Sequence, residues 1–121
     1  MLDFYRIHDN EIVPYEEGAI DIGAISDECQ WFKNKIGELE LDQYELLENI
    51  LDSFDAENCT INFFEDCRLD SNSSYKLLIY INQYLKGKSE LDDNQINALE
   101  NIINILSKAV NIGYGVITIC D

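Results

Sequence analysis

Apolar and polar positions alternate along this chain in two periods, and the periods divide it into strands and helices. Leu2 to Ile7 carries β-favouring bulk at Phe4 and Tyr5 and predicts a first strand. Residues 9–25 keep no period and contain Pro14, Gly18 and Gly23, which predicts a long loop. Ser26 then reads as an N-cap before Asp27 and Glu28, opening a helix that buries Cys29, Phe32 and Ile36 and stops at Gly37. Asp42 and Glu45 have the spacing of a capping box, and Tyr44, Leu47, Ile50, Leu51 and Phe54 follow at helical spacing. Cys59 to Glu65 reads as a strand in which Ile61 and Phe63 face one way. After the polar run 70–74, Leu77, Leu78, Ile81, Tyr84 and Leu85 form the stripe of a third helix that ends at Lys86-Gly87. Asp92 and Gln95 repeat the capping spacing, and Ile96, Leu99, Ile103, Leu106 and Val110 carry a fourth helix to Gly113. Val116 to Cys120 is apolar and β-branched, as in a strand buried on both faces.

These elements predict a single small α+β (or α/β) domain over residues 1–121, with a three-stranded sheet, about four helices and the order β-αα-β-αα-β. Residues 38–50 and 90–102 match at 7 of 13 positions at an offset of 52. The match suggests duplication of a helix–helix–strand unit over 26–66 and 75–121; chance likeness between helices rich in Leu, Glu, Asn and Ile is the competing explanation. At 121 residues there is room for one core only, and no run of 18 apolar residues is present to span a membrane. The first residues lack the basic and apolar segments of a secretion signal, so the expected compartment is the cytoplasm.

Charge changes the picture most. Twenty-four acids against eight Lys and Arg give a formal net charge of −16. Such a surface disfavours nucleic acid and anionic lipid as direct ligands, because phosphate binding needs clustered cations. Residues 1–70 hold 19 acids and 4 bases, whereas residues 71–121 hold 5 and 4. An asymmetry of that size points to an interaction surface. Asp52, Asp55 and Glu57 crowd the C-terminal end of a helix, where the dipole favours cations by about 0.3–1 kcal/mol each. Glu65 and Asp66 close the next strand with Asp70 nearby, and Glu11, Glu16 and Glu17 flank Tyr15 in the first loop. Tyr15, Glu16, Glu17, Asp52, Asp55, Glu57, Glu65, Asp66 and Asp70 are therefore the candidate partner-binding residues. Trp31 fits a core position better than an interface one. A solvated acidic face kept for solubility is the competing explanation.

The residues that carry catalysis elsewhere form no constellation here. His8 is the only histidine and has no matched nucleophile, and carboxylate pairs are inevitable among 24 acids. Cys29, Cys59, Cys67 and Cys120 include no Cys-x-x-Cys and have no neighbouring histidine, which argues for core or surface thiols over a metal or redox centre. Asp66-x-Arg68-x-Asp70 places a cation where a calcium loop needs a ligand, and Gly113-x-Gly115 precedes a strand rather than a helix. No enzyme activity, cofactor or metal is expected.

In its size, acidity and lack of a catalytic motif, the chain resembles the immunity proteins of bacterial toxin systems, including contact-dependent growth inhibition and other polymorphic toxin systems. The resemblance implies a cytoplasmic antitoxin that binds and neutralises a basic toxin domain, typically a nuclease whose cationic cleft complements an acidic surface. Two other classes share the same surface character: a phage-type nucleic-acid mimic that inhibits a host nuclease or repressor, and a small acidic enzyme or ligand-binding domain.

Overall fold

The computed structural model describes residues 1–9, 34–54, 61, 63, 64, 67–87 and 90–120. In chain order its elements are β1 (Leu2–His8), β2 (Lys35–Leu39), α1 (Leu41–Ser53), β3 (Cys67–Leu69), α2 (Ser71–Gly87), α3 (Asp93–Ala109) and β4 (Tyr114–Cys120). The strands form one sheet in the order β2-β1-β4-β3, with every neighbouring pair antiparallel. The α+β class is as expected, but the described residues contain four strands and three helices rather than three and about four.

Each difference has a local cause. The expected helix from Ser26 lies mostly outside the described residues, but its end, Lys35 and Ile36, is strand. Gly37 sits inside β2 opposite Phe4 and does not cap a helix. A Cβ at Gly37 would fall on the side chain of Ile105, so the missing side chain lets α3 lie directly on the strand. A register shift between Phe4 and Tyr5 then places Lys35 opposite Tyr5. Lys35 bonds Asp3 at 3.1 Å and Glu38 at 3.2 Å, and these two bonds hold its pKa above the usual lysine value.

The expected strand 59–65 lies largely outside the described residues, which include only Ile61, Phe63 and Phe64 of it. Ile61 and Phe63 are buried, as their alternation suggested, but Phe63 and Phe64 occupy a turn and strand pairing begins at Cys67. Their burial is met by packing against helices, Phe63 against Tyr44 of α1 at 5.4 Å, without a strand ladder. Residues 71–74 of the polar run belong to α2, and Asp70 caps it. Its first amides are satisfied by carboxylates: Asp9 accepts from Ser71 N–H at 2.8 Å and from the Ser71 hydroxyl at 2.5 Å, and Asp70 accepts from Ser73 N–H at 2.7 Å.

The core lies between the sheet and the helices. Leu2, Phe4, Leu39, Leu69 and Val116 meet Leu47 and Leu51 of α1, Leu77 and Ile81 of α2, and Leu99, Ile102 and Leu106 of α3. Helix α3 packs against both α1 and α2 and touches β1, β2 and β4. β4 is central and buried on both faces, with Val116 in this core and Ile117 on the opposite side together with Ile7. Gly115 of β4 faces the Leu69–Asp70 backbone so closely that any side chain would strike the Leu69 carbonyl. Cys67 is buried and Cys120 half-buried, while Cys29 and Cys59 lie outside the described residues.

The sequence-matched segments 38–50 and 90–102 place their helices in the same register: α1 begins at Leu41 and α3 at Asp93, an offset of 52. A strand precedes the first and a helix precedes the second. The N-caps also occupy equivalent positions, Glu40 and Asp92. Asp92 forms the expected capping box with Gln95, both bonds being present at 2.8 and 3.1 Å. The box expected from Asp42 and Glu45 does not form. Asp42 lies one residue inside the helix start, and Glu40 makes no side-chain capping bond.

Candidate interaction surface

Helix α1 buries Tyr44, Leu47, Ile50 and Leu51 and leaves the other side to solvent. On that side Asp42, Glu45, Glu48 and Asp52 follow one another at spacings of three, three and four, so their carboxylates line one stripe. All four are exposed, and α1 contains no Lys or Arg. Glu45, Glu48 and Asp52 make no hydrogen bond or ion pair among the described residues, and Asp42 accepts only from the next amide, Gln43 N–H at 2.9 Å. Three like-charge neighbours on one helix face destabilise it by roughly 1 kcal/mol in total at low salt. Asp52 adds an unfavourable charge in a last turn that has no base to offset it.

The stripe extends past the helix start. Glu38, Glu40 and Asp42 surround an open cleft of about 320 Å³, closed on its inner side by Gln43 and by Asn101 of α3. The Asn101 amide donates to the Glu38 carbonyl and to Gln43 Oε1, both at 3.4 Å. The cleft therefore holds acceptors and three carboxylates, a lining suited to an ammonium or guanidinium group.

An aromatic column packs against α1. Tyr44 leans on Phe63, and Phe63 meets the ring of Phe64 edge-on at 5.5 Å and 76°. Burial raises the Tyr44 phenol above its ordinary pKa; a backbone hydrogen bond from Phe63 opposes that rise, and the carboxylates of Glu48 and Asp52 add to it. That coupling places Tyr44 within the field of the stripe. Phe63 is 9% exposed and Phe64 73%.

Of the residues singled out from sequence, Asp52 lies on this stripe. Asp70 has a different position, half-buried and engaged as the cap of α2. Tyr15, Glu16, Glu17, Asp55, Glu57, Glu65 and Asp66 lie outside the described residues. Sequence reasoning passed over Asp42, Glu45, Glu48 and Phe64. The first three carry a legible signal, because they interleave with Tyr44, Leu47, Ile50 and Leu51 at helical spacing. Phe64 carries one too, since it alternates with Ile61 and Phe63.

Elsewhere, Arg6 lies 3.9 Å above the Tyr114 ring, and His8 meets that ring edge-on at 5.0 Å. A groove of about 480 Å³ runs between the start of α2 and the α3–β4 turn, lined by Ser71, Asn72, Tyr75 and residues 110–113. It contains no acid or base. Among the described residues no group of three or more His, Cys, Asp or Glu could hold a metal ion, and no helix is long and apolar enough to cross a membrane. Compared with known proteins, the chain matches no family model, no curated protein sequence and no solved structure.

Proposed function

We propose that this chain is an immunity protein, an antitoxin that acts in the cytoplasm by binding a basic toxin domain, of which a nuclease is the leading case. The observation that carries the reading is the α1 stripe. Asp42, Glu45, Glu48 and Asp52 stand on a helix without a single base; Asp42 is favoured by the dipole in the first turn, but Glu45, Glu48 and Asp52 repel one another along the face and do nothing for its packing. Acids of that kind make sense as a surface for a cationic macromolecule. The acidic face would cover or flank the cleft that takes nucleic-acid phosphates, and long-range attraction would speed association by about 10–10³-fold at low salt.

The test is binding kinetics against a basic toxin domain, sought first among the products of the neighbouring genes. Glu45→Lys with Glu48→Lys should slow association at least tenfold at low salt and flatten its salt dependence, leaving dissociation much less affected. Unchanged association and an unchanged salt slope would remove α1 from the contact. A partner whose contact surface is uncharged would end the reading altogether.

A further inference from the structure

We propose that Phe64 is the apolar anchor of this surface, a ring that enters a hydrophobic socket on a cationic protein while the α1 carboxylates meet the charges around it. The proposal rests on the basic-partner reading above and adds to it the residue that holds the complex together.

Phe64 is 73% exposed, although the preceding Phe63 is buried in the core. Phe64 stands in a turn, its ring packs edge-on against Phe63, and Phe63 is fixed by the Tyr44 ring and by the hydrogen bond to the Tyr44 phenol. An anchor supported in this way gives up little conformational freedom on binding, which is the condition under which one aromatic residue contributes most. The location fits as well, because Tyr44 joins the Phe63–Phe64 turn to the helix that bears Glu45, Glu48 and Asp52.

Of the other exposed apolar residues among the described ones, Leu41 is on α1 but is aliphatic, less exposed at 43% and set at the helix start, and the rest stand elsewhere in the fold. Tyr75 and Ile79 lie on α2, which has no acid anywhere along it, and Ile112 stands at the α3–β4 turn. Among the described residues, Phe64 is the exposed ring linked, through Phe63 and Tyr44, to the acidic helix. The partner it fits is therefore a basic protein surface with an apolar pocket among its Lys and Arg side chains. Burying one phenylalanine corresponds to about 10–100-fold in affinity.

Two fluorescent peptides of equal positive charge serve as probes, one built from Lys and Leu and the other from Lys and Ser, and anisotropy is read at low and high salt. The wild-type chain should bind the Lys–Leu peptide about tenfold more tightly than the Lys–Ser peptide. Phe64→Ala should abolish that preference and leave the salt dependence unchanged, while Phe64→Leu should retain most of it. Glu45→Lys with Glu48→Lys should weaken both peptides alike. Circular dichroism confirms that each variant is folded. If Phe64→Ala keeps the full preference, or if the wild type shows none, the anchor assignment is overturned while salt-dependent binding still supports the basic-partner reading. If neither peptide binds the wild type at low salt, that reading fails too.

Discussion

Helices α1 and α2 both flank α3 and both bury one apolar stripe, yet they use carboxylates in opposite ways. The acids near α2 lie outside the helix and hold its first turn. Asp9 takes the Ser71 amide and hydroxyl and also pairs with Arg68 at 3.7 Å, and Asp70 takes the Ser73 amide. The helix itself has no acid, and its exposed side carries Tyr75, Lys76, Ile79 and Lys86. Around α1 the arrangement is reversed. Its N-cap, Glu40, makes no capping bond, and four acids lie along the solvent face without a base. Among the described residues the acids of these two helices thus have two roles, one holding a helix start and one left facing solvent, and it is the second that the proposed partner would meet.

Removing the structural acids should have the largest effect. Asp9→Ala with Asp70→Ala would leave the first amides of α2 without their acceptors and lower unfolding free energy by about 2–3 kcal/mol in urea titrations. A loss no greater than that from truncating Glu45 would erase the distinction between the two helices. Next comes the contrast between equivalent caps. Asp92→Ala should cost about 1 kcal/mol by opening the box with Gln95. Glu40→Asp should gain up to about 1 kcal/mol, because Gln43 stands where Gln95 does in the matched segment. If Glu40→Asp were neutral, the register shared by the two segments would not extend to their caps.

Neutralising the solvent-facing acids should be slightly stabilising. Glu45→Gln with Glu48→Gln is expected to add about 0.5–1 kcal/mol at low ionic strength, a gain that shrinks in salt. Destabilisation instead would show that these carboxylates serve the fold after all. The smallest effect concerns alkaline pH. The Tyr44 phenol is held above its ordinary value of 10.0, chiefly by burial, so its contribution is complete below pH 10 and declines as pH rises beyond it. Lys35, raised by its bonds to Asp3 and Glu38, acts with the same sign. Tyr44→Phe should therefore move the alkaline limb of the stability curve upward in pH, measured by thermal unfolding between pH 9 and 11.

Several parts of this architecture were legible in the sequence because they depend on contacts close along the chain. β1, β4, α3 and the Asp92–Gln95 box follow from periodicity and capping chemistry over a few residues. The start of α2 was harder to read, since half of its cap comes from Asp9, 62 positions away from Ser71. β2 was misread because Gly37 has two valid uses, ending a helix or admitting a neighbour, and only the presence of Ile105 distinguishes them. Phe63 and Phe64 show the same ambiguity, since alternation describes burial and exposure equally well in a turn.

The sequence by itself determined the α+β class, the net charge of −16 and the concentration of acids before residue 70, because composition and short-range periodicity do not depend on how distant segments meet. Tertiary structure decided that Asp9 would help cap a helix 62 positions away and that the α1 acids would be left facing solvent. A side chain's role depends on what faces it, and for Asp9 and Asp70 that was the bare end of a helix, while for Glu45 and Glu48 it was solvent.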